Sequence, residues 1–119
     1  MSTVQAKYDE AILKAEKGDL DEAVKLLTAL AEESPDYALA HAALARYHSK
    51  LENHEQAVNH AEKVCELESE DPFSYVAKSI ICIEAGDKTG AEDARAQALR
   101  LQWQQQMSDS ETNEESSDE

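Results

Sequence analysis

The chain has 119 residues, with 26 acidic against 11 basic side chains, and a formal charge of −15. A polyanion of this kind repels a DNA or RNA backbone, no apolar run nears the ~20 residues of a membrane span, and Met1 to Tyr8 lacks the basic-then-apolar order of a signal peptide. With three Gly and two Pro in a charged, alanine-rich chain, the expectation is one small all-α domain, soluble and cytoplasmic, that engages neither nucleic acid nor membrane.

A first helix is predicted over 3–17, where Val4, Tyr8, Ala11, Ile12 and Ala15 form an apolar stripe beside Lys7 and Lys14. Gly18 ends it, and the Asp19 to Glu22 spacing is that of a reciprocal cap opening a second helix over 21–33. Pro35 precedes a third helix over 37–51, and the turn at Glu52-Asn53 leads to a fourth over 55–68, with Asn53 and Gln56 again at cap spacing. Asp71 stands before Pro72, a cap ahead of proline at the first helical position, which starts a fifth helix over 72–85. Gly86-Asp87 leads into a sixth over 89–106. Residues 108–119 hold six acids, no base and no apolar side chain, and are expected to form a disordered acidic tail, either solubilising or directed at a basic partner or a kinase acting on Ser108, Thr112 or Ser116.

These elements repeat with a period of 34 residues. Gly18, Glu52 and Gly86 superimpose, as do Asp19, Asn53 and Asp87, then Ala23, Ala57 and Ala91, then Ala11, Ala45 and Ser79, then Leu30, Val64 and Ala98. The domain over 1–107 is therefore three helix-turn-helix units, at about 4–37, 38–71 and 72–105, that bury their apolar faces by stacking on one another. Val24 and Leu27, and then Val58 and Ala61, stand where a unit packs on its successor; Glu92 and Arg95 replace them in the third copy, which reads as a polar cap on a finished array. Leu99, Trp103 and Met107 recur at spacing four on the last helix; they could cover the core, dock into a neighbour's groove or form a homo-oligomer contact, and the first is preferred.

The period, with a small residue in each first helix, alanine early in the second and Pro35 near the end of a copy, resembles the tetratricopeptide repeat, TPR. Ala11, Gly18, Ala23, Leu44, Ala45, Ala57, Tyr75, Ser79, Gly86, Ala91 and Ala98 carry the resemblance over about residues 4–105. Glu10 and Lys78 depart from it where the family has apolar residues, Glu52 replaces the turn glycine, and Leu30 and Val64 replace a small residue. The resemblance implies an α-α superhelix whose first helices line a concave groove for a peptide or helix of another protein. The groove positions it implies are Gln5, Tyr8, Asp9 and Ile12, then Leu39, Ala42, Ala43, Arg46 and Ser49, then Phe73, Val76, Ala77, Ile80 and Ile83. In some family members, basic and amide residues grip a chaperone's C-terminal carboxylate; here the matching positions hold Tyr8, Ile12, Ala43, Phe73 and Ala77, which argues against that ligand. Arg46, among Ala and Leu, is either a groove donor that sets register or one half of a surface ion pair.

Chemistry is not expected. His41 and His48 lie ~10 Å apart along one helix, His54 falls in a turn and His60 in the next helix, so no metal centre is read from them. Cys65 and Cys82 read as free, buried thiols. No phosphate-cradling or nucleophile motif occurs, so neither catalysis nor a cofactor is expected. The favoured function is a non-catalytic adaptor or scaffold that binds a partner polypeptide. The alternatives are a chaperone for an aggregation-prone secretion client, since small acidic three-repeat TPR proteins of this appearance serve secretion systems, and a self-assembling structural module.

Overall fold

A computed structural model describes residues 3–117, with side chains as far as residue 110. Six helices follow one another, α1 (Val4–Glu16), α2 (Leu20–Glu33), α3 (Ala38–Lys50), α4 (His54–Leu67), α5 (Pro72–Glu84) and α6 (Lys88–Ser117), and no strand occurs among the described residues. Each helix packs on the next, and α3 also touches α5, which makes the stack a solenoid of three helical hairpins. A radius of gyration of 17.1 Å, against about 13.5 Å for a compact chain of this length, reflects that elongation.

The three hairpin turns are built alike. Gly18 donates to Ala15 O and Asp19 to Lys14 O; Glu52 and Asn53 donate to Ser49 O and His48 O, and Gly86 and Asp87 to Ile83 O and Cys82 O. This paired pattern closes a helix C-terminus and requires a left-handed residue at its second-to-last position. Gly18 has φ 91° and Gly86 φ 80°, while Glu52 adopts φ 65° without glycine's freedom. Asp19 accepts from the Glu22 amide, Asp71 from Phe73 and Asp87 from Gly90, as the cap spacings or their 34-residue equivalents imply. Asn53 differs: its side chain makes no cap bond and instead reaches His48 Nδ1 at 3.3 Å.

Alanine at the recurring positions lets the helices approach closely. Ala11, Ala23, Leu27, Leu30, Ala40, Ala43, Leu44 and Tyr47 form one buried cluster, with Val4, Tyr8, Ile12 and Ala15 packed against it as the stripe of α1 requires. Ala45, Ala57, Ala61 and Ile81 form a second between the next two hairpins. Cys65 and Cys82 are free and buried.

Two expectations about the last helix are corrected. Leu99, Trp103 and Met107 are 55%, 64% and 47% exposed and cover no core, because Ala91, Ala94 and Ala98 are the residues that α6 turns inward. The helix also continues to Ser117 rather than ending at 106, since no Gly or Pro interrupts the backbone hydrogen bonding. The side chains of Thr112 and Ser116 lie outside the described residues.

Candidate functional site

Helical period places Ala42, Arg46 and Lys50 on one edge of α3, each a turn from the next, and Ala77, Ile80 and Glu84 on the facing edge of α5. Between them opens a cleft of about 430 Å³, with Ala45, Ile81 and Ser74 in its walls and Ala61 and Val64 of α4 at its floor. Small side chains such as Ala42 and Ala77 on the two walls leave the space between the helices unfilled, and the floor stays apolar. Of the groove residues expected from sequence, Ala42, Arg46, Ala77 and Ile80 line this cleft.

The others are distributed differently. Phe73, Ile83 and Leu39 are 72%, 66% and 48% exposed but lie outside the cleft lining, and Val76 is half-buried. Ala43 is buried in the first core cluster. Ser49 is buried as well: its hydroxyl donates to Glu84 Oε2, tying α3 to α5. Tyr8 and Ile12 are half-buried against the first cluster, with the Tyr8 ring edge-on to Tyr37 at 5.9 Å. Ala45, Lys50, Ala61, Val64, Ser74, Ile81 and Glu84 also line it without having been expected there; Lys50 stands four residues after Arg46 and Glu84 four after Ile80, so helical period carried a sign of both.

Arg46 is exposed, and among the described residues no carboxylate lies within ion-pair distance of it. Its guanidinium carbon stands 5.4 Å from the Tyr47 ring centroid. Burial pushes the Tyr8 phenol up, and the Arg46 guanidinium pulls it down, so this cation also acts across to α1.

Where α3 meets α4, three imidazoles that look separate in sequence come together. His60 of α4 lies between His41 and His48 of α3, with ring centroids 5.4 and 5.7 Å away and the His48 ring parallel within 1°. His41 Nε2 is 2.9 Å from Pro35 O, an acceptor only, so that nitrogen carries the proton. His41 Nδ1 and His60 Nδ1 share a hydrogen bond at 3.1 Å. Burial, followed by the charges of His41 and His48, pushes His60 down to about 4, and burial also lowers His48. The stacked rings thus pack α4 against α3, and among the described residues no group of three or more His, Cys, Asp or Glu is placed to hold a metal ion. No helix among them is long and apolar enough to cross a membrane.

The tetratricopeptide repeat family model matches residues 14–72. Among solved structures, MamA is similar at a TM-score of 0.79 and 16% identity, covering 88% of this chain and 61% of its own. The type III secretion translocator chaperone SycD of Yersinia enterocolitica is similar at 0.74 and 17%, covering 83% and 75%. The second TPR of Spaghetti (RPAP3), bound to the HSP90 peptide SRMEEVD, is similar at 0.72 and 16%, covering 82% and 91%. The chain thus spans about three fifths of the MamA length, and at these identities the likeness is one of fold. No curated protein sequence matches the chain.

Proposed function

The chain belongs to the tetratricopeptide repeat family, and from that premise we propose that it is a non-catalytic adaptor that binds a partner polypeptide in the cleft between α3 and α5. The observation that supports this is the cleft itself: about 430 Å³ with an apolar floor, walls of Ala42, Ala77 and Ile80, and Arg46 and Lys50 at its rim. A space of that size accepts one or two apolar side chains, whose burial supplies affinity, while the rim cations choose among registers. Tyr8, Ile12, Leu39, Phe73, Val76 and Ile83 would extend the contact along the array, and buried Ser49 would act through Glu84. In this reading residues 1–107 are the binding domain and 108–119 an acidic appendage, the location is cytoplasmic, and neither nucleic acid, membrane, metal nor cofactor takes part. The chaperone reading makes the exposed Phe73 and Ile83, which lie outside the cleft lining, the main contact, and their replacement by Glu would abolish suppression of a client's aggregation.

The test is selection of binding peptides from a displayed random library, followed by titration against Ile80→Glu and Arg46→Glu. Both side chains are exposed, so circular dichroism should be unchanged. Selected peptides should lose at least about tenfold in affinity for Ile80→Glu and several-fold for Arg46→Glu. Equal binding to wild type and Ile80→Glu, or a library that yields no binder, would overturn the proposal.

A further inference from the structure

We infer that the polypeptide taken by the cleft is the C-terminal segment of a second copy of this chain, so that copies join head to tail; this rests on the reading of the cleft as a polypeptide site. The two halves of such a joint are both present. On α6, Leu99, Trp103 and Met107 form one exposed stripe at a spacing of four, and the chain then runs directly into six acids without a base. In the cleft, an apolar wall that includes Ile80 is bordered on α3 by Arg46 and Lys50, one turn apart and with no carboxylate within ion-pair distance among the described residues, while the one acid of the lining, Glu84 on α5, is engaged by the Ser49 hydroxyl. Apolar side chains followed by carboxylates are complementary to an apolar wall bordered by cations, in character and in order.

The stripe cannot serve its own cleft. Ala91, Ala94 and Ala98 hold α6 against the hairpin, and Gln105 Nε2 donates to Glu70 O at 3.2 Å, so the helix is fixed near the α4–α5 loop with Trp103 on its outer side. Reaching the space between α3 and α5 would require α6 to leave its core contacts. A second copy meets no such obstacle. The contact joins two different surfaces, so each added copy leaves one free cleft and one free stripe, and assembly continues into a ring or an open chain.

Sedimentation velocity of the full chain over a wide concentration range tests this, with Trp103→Glu lacking the stripe and Ile80→Glu lacking the cleft. Both positions are exposed, and equal helicity by circular dichroism accompanies each run; Leu99→Glu and Ala77→Glu repeat the two arms. Wild type should gain mass with concentration, and each variant alone should stay monomeric. An equimolar mixture of the two should form a dimer and stop there, because one intact cleft meets one intact stripe. Arg46→Glu should weaken assembly several-fold. A monomeric wild type at every concentration, assembly of Ile80→Glu alone, or a mixture that stays monomeric would each overturn the inference. If wild type is monomeric while library-selected peptides still bind the cleft, self-docking fails and the adaptor reading stands; if neither occurs, both fall.

Discussion

Replacing His60 by Gln tests the histidine stack, because it removes the one imidazole that touches both of the others. Burial, and then the charges of His41 and His48, hold His60 at about 4 against an ordinary 6.5, so between those values the unfolded chain binds a proton that the folded chain refuses. The stabilising contribution of neutral His60 is whole above pH 6.5 and is lost as the pH falls toward 4. The gap corresponds to about 3 kcal/mol at about 1.36 kcal/mol per pH unit, and about 2 kcal/mol of it falls between pH 7 and pH 4.5. His48, also lowered by burial, adds a contribution of the same sign. Urea unfolding followed by circular dichroism, for wild type and His60→Gln at the two pH values, isolates the effect as a difference of differences, in which the titration of the carboxylates cancels. Wild type should lose about 2 kcal/mol more than the variant on acidification. Parallel losses, or an NMR titration midpoint for His60 near its ordinary value, would refute the argument.

Other positions separate packing from exposure. Leu44→Ala, at a fully buried site, should cost about 2–5 kcal/mol in chemical denaturation, whereas Trp103→Ala should stay within about 0.5 kcal/mol; a large loss at Trp103 would restore a core role for it. Glu52→Gly should stabilise by up to about 1 kcal/mol, because a non-glycine residue at φ 65° is strained, and an unchanged or lowered midpoint would count against that strain. Burial pushes the Cys65 and Cys82 thiols up, so a thiol reagent at neutral pH should label them only as fast as the protein opens; immediate labelling of the folded chain would contradict their burial.

The repeat and its turns were legible because the signals are local. The recurrence of Gly18, Glu52 and Gly86 marks the same left-handed backbone position three times, and even the departure at Glu52 leaves the turn's hydrogen bonds in place. Asp19 and Asp71 cap as their spacing implies, because a cap involves only a few consecutive residues. Asn53 shows the limit of such signals, since its amide had a competing partner in His48 and took it. In the cleft, Ala42, Arg46 and Ile80 follow from helical period combined with the family pattern, but Ser49 on the same helix is turned into the contact with α5. Spacing four made Leu99, Trp103 and Met107 a stripe without saying which side of α6 faced the core.

From the sequence alone came the all-α class, three units of 34 residues, the turn and cap residues, the small side chains at the helix contacts and the net charge of −15. All of these depend on interactions within a turn or two of backbone, or on composition. The opening of the cleft between α3 and α5, the burial of Ser49, the outward face of Trp103 and the meeting of His41, His48 and His60 were decided only in the tertiary structure. They depend on the rotation of each helix about its own axis and on its register against the next, and one residue of slip, a rotation of about 100°, exchanges a buried position for an exposed one.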